Sequence, residues 1–192
     1  MNEHLTSGLP RRFVFWPSLW CALLLLGPLH AGARSPQLEL AAGADVAQVL
    51  YVGFTPPAGV AQHLVKAIDQ AQTEVLVQAY GFTHNAIAQA LVRAHQRGAK
   101  VQVLLDEKSD ATNRYVIGLL HAAGIPIRLD GAHAIAHNKV MVLDGQVVVT
   151  GSFNFTNAAE TRNAENLLIL RSPSLAQAYR DNWLQHLQHA RP

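Results

Sequence analysis

Residues His137–Asn154 read HNKVMVLDGQVVVTGSFN. Two arms rich in Val, Met and Leu flank Asp144-Gly145, the dipeptide that most favours a two-residue β-hairpin turn. With that pair as the turn, Leu143 faces Gln146, Val142 faces Val147, Lys139 faces Thr150 and His137 faces Ser152. Directly opposed residues have Cβ atoms about 5 Å apart, and strand alternation puts His137 and Lys139 on one face. The open end of the hairpin therefore collects an imidazole, an ammonium and a hydroxyl, with Asn154 just beyond. Asp144 lies roughly 23 Å from His137 at the usual strand rise, so it belongs to the architecture of the turn.

Upstream, strand-like and helix-like periodicities alternate. YVGFTP (51–56) precedes VAQHLVKAIDQAQ, whose apolar residues Val60, Leu64, Ala67, Ile68 and Ala71 form one helical face. EVLVQAYGF (74–82) is a strand, and Thr83 is a candidate cap for the helix HNAIAQALVRAHQRG that ends at Gly98. KVQVLLDE, NRYVIGLLHAAG, IPIRLD, NLLILRS and a last helix over 174–189 complete the pattern. Strands joined by helices predict one α/β domain, a mixed and largely parallel sheet with helices on both faces.

The first 33 residues read differently. Arg11 and Arg12 precede an apolar stretch, Phe13 to Leu29, that Pro17 interrupts, and Ala31-x-Ala33 fits a signal-peptidase site. At 17 residues the stretch is short for a bilayer span, which needs about 20. Residues 1–33 are expected to be a cleaved signal peptide, with an uncleaved membrane anchor as the alternative, and 34–192 the catalytic domain. The protein is thus expected to be exported, periplasmic or secreted, or membrane-anchored if cleavage does not occur. The single cysteine, Cys21, lies in that leader, so the mature chain has neither a disulfide nor a thiolate metal site. It keeps 13 Lys+Arg against 12 Asp+Glu, too balanced for a nucleic-acid binder driven by bulk charge.

A histidine can serve as a nucleophile or as a general acid/base near neutral pH. Lysine, serine and asparagine donate hydrogen bonds suited to a phosphate whose oxygens gain charge in the transition state. No Cys or His set has metal-ligand spacing along the chain. These residues predict phosphoryl transfer with no metal and no cofactor.

His137-x-Lys139-x4-Asp144-x6-Gly151-Ser152-x-Asn154 matches the signature of the phospholipase D superfamily, and the chain resembles its small secreted bacterial endonuclease branch, which has one motif per chain. VGFTPPAG, QAYGFT, LLDE and GSFNFTNAAET-x-NAENLLI add to the resemblance. The resemblance implies that His137 attacks phosphorus and forms a phosphohistidine. It implies that Lys139 and Asn154 hold the phosphate oxygens with help from Ser152, and that Glu165 orients the imidazole. Gly151 and Asp144 are structural parts of the motif.

Such a reaction needs a second imidazole to protonate the leaving alkoxide, and general acid catalysis of this kind is worth about 10²- to 10⁴-fold. His63, His84, His121, His133 and His186 have no basic residue two positions on, and His95, followed by Arg97, and His189, followed by Arg191, sit in helices without a downstream Gly-Ser-x-Asn. A homodimer with a shared active site supplies the second His137 by symmetry, as the family does. The expected function is a metal-independent, non-specific endonuclease acting on DNA or RNA. The alternative is a phospholipase D acting on phosphatidylcholine or cardiolipin, whose bond type is the same.

Three further groups invite a functional reading. His133 and His137 are four apart, but in extended chain that is about 13 Å, too far for one metal. His186 and His189 read as solvated helix residues beside Trp183 and Leu184. Tyr80 and Phe82 either line the substrate groove, stacking on a base, or belong to the core.

Overall fold

The computed structural model describes residues 45–57 and 59–192; the leader expected over 1–33 lies outside them. In chain order the elements are β1 (Gln48–Thr55), α1 (Val60–Gln70), β2 (Glu74–Ala79), α2 (Asn85–Gln96), β3 (Lys100–Asp106), α3 (Asp110–Ala122), β4 (Ile127–Asp130), β5 (Lys139–Leu143), β6 (Val147–Gly151), α4 (Asn157–Thr161), β7 (Glu165–Arg171) and α5 (Pro173–His189). The strands form one seven-stranded sheet in the order β1-β7-β6-β5-β2-β3-β4.

The sheet is mixed and flanked by helices, as the alternating periodicities imply, but the expected predominance of parallel pairing is not found. Parallel pairs among the described strands are β2–β3 and β3–β4, each joined through a helix. The pairs β1–β7, β7–β6, β6–β5 and β5–β2 are antiparallel. Helical crossovers dictate direction only where they link neighbours, and β5 enters the middle of the sheet through an irregular segment.

Strand alternation divides the core into two layers. Val75, Val77, Val103, Leu105, Met141, Leu143 and Val149 pack against α1, α2 and α3 through Leu64, Ile68, Ile87, Leu91, Val116 and Leu120. Leu76, Leu104, Val142 and Val148 point the other way, under Trp183 and Ala176 of α5. Fully burying one such aliphatic side chain is worth about 1.5–3 kcal/mol. Trp183 also donates its indole N–H to the Val77 carbonyl at 2.9 Å, which fixes α5 over β2. No described helix is long and apolar enough to cross a membrane.

Two local expectations change. Thr83 does not cap α2: the N-cap is His84, without a side-chain bond. Instead the N–H groups of Thr83 and His84 both donate to the Phe155 carbonyl at 2.9 Å, so a distant segment meets the need. At α1, whose N-cap is Gly59, the carboxylate of Glu160 accepts from the Gly59 N–H and, at 3.0 Å, from the Ala61 N–H. A negative group there complements the helix dipole.

The hairpin register also differs by one. Leu143 faces Val147, Val142 faces Val148 and Met141 faces Val149, so the loop holds Asp144, Gly145 and Gln146. Neighbouring segments impose this. The Asp144 N–H donates to the Glu74 carbonyl and the Ser172 N–H to the Gln146 carbonyl, both at 2.9 Å, drawing both loop residues out of the two-strand ladder.

Candidate active site

A one-residue register shift turns side chains to the opposite face of a sheet, and by itself it would carry Ser152 away from His137. A β-bulge restores the arrangement. The N–H groups of Ser152 and Phe153 both donate to the Asn166 carbonyl, each at 3.1 Å, two residues against one. Gly151 precedes the bulge at φ 146°, and a Cβ on it would sit 2.3 Å from that carbonyl oxygen. The glycine of Gly-Ser-x-Asn is therefore what permits β6 to approach β7 and re-aim the next residues.

The result is an open cleft of about 390 Å³ lined by His137, Lys139, Gly151, Ser152, Asn154 and Glu165. It gathers the expected site residues and excludes Asp144. The Asp144 carboxylate lies at the other end of the hairpin and accepts from the Gln72 N–H, the Thr73 N–H (2.8 Å), the Thr73 hydroxyl (2.9 Å) and the Glu74 N–H (3.0 Å). Although partial burial opposes it, these bonds hold Asp144 below the usual carboxylate range.

His137 lies just before β5. Its ring makes an edge-type contact with the Tyr80 ring, with centroids 4.7 Å apart. Lys139 is 8% exposed. Its Nζ donates to the His137 carbonyl at 2.8 Å and stands 5.5 Å from the Tyr80 ring centre. Burial pushes the Lys139 ammonium below the ordinary lysine range, and the Glu165 carboxylate works against that push. Ser152 Oγ accepts from the Asn166 N–H at 3.0 Å and from its amide at 3.3 Å, leaving the hydroxyl proton to be donated. Asn154 Oδ1 is buried without a hydrogen-bond partner.

Glu165 departs from its expected contact. Its carboxylate accepts from the Asn163 amide at 3.1 Å, and among the described residues no hydrogen bond joins it to the His137 ring. It lines the same cleft as the imidazole. Of the two aromatics, Tyr80 borders the site through its contact with the His137 ring and is not one of the residues lining the cleft. Phe82 belongs to the core, fully buried with its ring 5.7 Å from that of Phe155.

Sequence reasoning missed Asn113. Fully buried on α3, it accepts from the Phe82 N–H at 2.7 Å and donates to the Tyr80 carbonyl at 2.9 Å, clamping the loop that presents Tyr80. A lone Asn inside a helix carries no signal of this. The reading of His186 as solvated is also corrected, while His189 is exposed as expected. His186 is 14% exposed at its side chain and bonds Asp130 Oδ2 through Nδ1 at 2.5 Å, while His189 Nε2 lies 3.2 Å from Asp130 Oδ1.

A family model described as "Cardiolipin synthase, PLD-like domain" matches residues 64–187, which include every residue of the cleft. A protein of Rickettsia felis named phospholipase D is 44% identical over 131 residues, 68% of this chain and 66% of that protein. Human mitochondrial cardiolipin hydrolase is 33% identical over 162 residues, 83% of this chain and 60% of that protein. The chain thus spans just under two thirds of the length of these relatives. The solved structure of Nuc from Salmonella typhimurium, a phospholipase D family member, superposes with a TM-score of 0.73 at 36% identity. It covers 76% of this chain and 97% of its own.

Proposed function

From the premise that this chain belongs to the phospholipase D superfamily and is a phosphodiester hydrolase, we propose that it cleaves the backbone of DNA or RNA without base preference. The observation that carries this reading is the make-up of the cleft. Imidazole, ammonium, hydroxyl and amide converge on one open depression whose lining residues include no aliphatic side chain. Such a surface holds a phosphate by its oxygens, and contacts of that kind carry no sequence information.

In the proposed mechanism His137 attacks phosphorus. The N–P bond forms as the P–O bond to the leaving group breaks, and the leaving oxygen takes a proton from a second imidazole. Water then attacks the phosphohistidine and gives its proton to that second imidazole, and the N–P bond breaks to free His137. Lys139, Ser152 and Asn154 stabilise the charge on the non-bridging oxygens in both steps, and no step calls on a metal.

The second imidazole is His137 of another copy, in a homodimer with the site on its two-fold axis. An uncovered apolar strip beside the site supports this. Val52 and Phe54 are 52% and 66% exposed and pair with Leu168 and Asn166, and Asn166 holds the Ser152 hydroxyl. Apolar side chains exposed together next to a half-complete site suit a self-complementary interface. A protein acting outside the cytoplasm, after removal of residues 1–33, fits the composition of that leader.

The names of the rickettsial and human relatives favour a second reading, phospholipid hydrolysis, and the apolar strip could instead meet a lipid surface. One assay separates the two. The protein is incubated in EDTA with plasmid DNA, RNA, and phosphatidylcholine or cardiolipin vesicles. Nucleic-acid cleavage alone is the expected result, and hydrolysis of vesicles alone overturns it.

A further inference from the structure

Asp130, His133, His186 and His189 each present a ligand atom, and these four atoms lie within 4.8 Å of one another. They come from the end of β4, the segment after it, and the last turns of α5. We propose that this cluster is a structural zinc site, separate from the catalytic cleft.

The donor set is the first reason. Three imidazoles and one carboxylate are zinc ligands, and four protein ligands complete a tetrahedron with no position left for substrate. Geometry is the second. Asp130 Oδ2 lies 2.5 Å from His186 Nδ1 and 4.0 Å from His133 Nε2, and Asp130 Oδ1 lies 3.2 Å from His189 Nε2. Ligand atoms around tetrahedral zinc stand about 3.3 Å apart for bonds of about 2.0–2.1 Å, so shifts on the order of 1 Å per side chain close the shell. The three imidazole rings already cluster, with centroids 4.9, 5.3 and 5.4 Å apart, one pair tilted and two pairs edge-on.

Burial is the third reason. The Asp130 side chain is 2% exposed, while His133 and His189 are 48% and 37% exposed. A buried carboxylate at the floor with solvent-reachable imidazoles at the rim gives an ion a charge to meet and a path to it. The Ala132 N–H bonds Asp130 Oδ1 at 3.1 Å, orienting the carboxylate as a metal ligand requires.

The site also lies where a crosslink is useful. β4 is an edge strand, and the end of the chain pairs with it through reciprocal Leu129 and Arg191 backbone bonds of 2.8 and 3.0 Å. Zinc there would tie the end of α5 to β4 and hold the segment that leads, four residues after His133, into His137.

The test uses the full chain without a histidine tag. The protein is stripped with a strong chelator, dialysed, and reloaded with zinc chloride; bound zinc is measured by elemental analysis and the melting temperature by calorimetry. The expected result is about one zinc per chain and a melting temperature raised on the order of 5–10 °C at hundredfold excess over Kd. His189→Ala, which leaves the Asp130–His186 pair intact, and His133→Ala should lose both effects, while His121→Ala keeps them. Failure of the wild-type chain to retain zinc, or an equal zinc-induced rise in the His133→Ala and His189→Ala variants, overturns the site. Either outcome is independent of whether nucleic acid or lipid is cleaved.

Discussion

The rings of Tyr80 and His137 meet in an edge-type contact, and the centre of the Tyr80 ring lies 5.5 Å from the Lys139 ammonium. One aromatic side chain therefore touches both the proposed nucleophile and the cation beside it, and Asn113 clamps the loop that carries it. Removing the ring frees the imidazole to rotate away from its line of attack. Tyr80→Ala should lower kcat on bis(p-nitrophenyl) phosphate on the order of 10- to 100-fold, whereas Tyr80→Phe, which keeps the ring, should stay within a few-fold of wild type. Equal losses in the two variants would assign the role to the hydroxyl.

If each site needs two copies of His137, a mixed dimer holding one imidazole has a nucleophile or an acid but not both. Wild-type protein refolded with a tenfold excess of His137→Asn chains should then lose far more activity than its dilution explains. Activity falling in strict proportion to dilution would mean that one chain suffices.

The apolar strip gives an independent check on the dimer. Val52→Asp combined with Phe54→Asp changes two exposed side chains and leaves the described cleft residues in place. Sedimentation should show a monomer with folded circular dichroism and little activity. A fully active monomer is the result this account does not survive.

Lys139 is protonated below its folded pKa and loses charge as pH rises. Burial lowers that pKa, so the alkaline limb of kcat/KM should set in below the ordinary lysine range. Lys139→Arg, which stays charged throughout, should be slower but should move that limb upward. An alkaline limb that Lys139→Arg leaves in place would trace it to another group.

Asp144 makes a stability prediction without a catalytic one. Its folded pKa lies below the unfolded value, so the carboxylate stabilises the fold above that unfolded value, about 3.9. The contribution is lost as pH falls through the folded value. The amides it serves are partly solvated, so Asp144→Ala should cost about 1–2 kcal/mol in urea denaturation near pH 7. The cost should shrink toward zero in acid, and activity per folded molecule should be kept.

Much of this protein was legible from one segment. The His-x-Lys and Gly-Ser-x-Asn ends, the Asp-Gly turn and the change from period 2 to period 3.6 are local patterns, and local backbone preferences and burial enforce them. They determined the α/β class, the hairpin and the cleft residues His137, Lys139, Gly151, Ser152 and Asn154, while Glu165 came from the family resemblance. Tertiary structure decided the rest, because each remaining feature depends on a partner far away in the chain. Neighbouring segments lengthened the turn by Gln146, Asn166 imposed the bulge at Gly151, and Asn113 clamped the backbone of the loop that carries Tyr80. Asp130, 56 residues before His186, made a cluster of histidines that helical spacing alone presents as solvated. Periodicity reports which face of an element is buried; it carries no information about what the opposite side of the fold brings to that face.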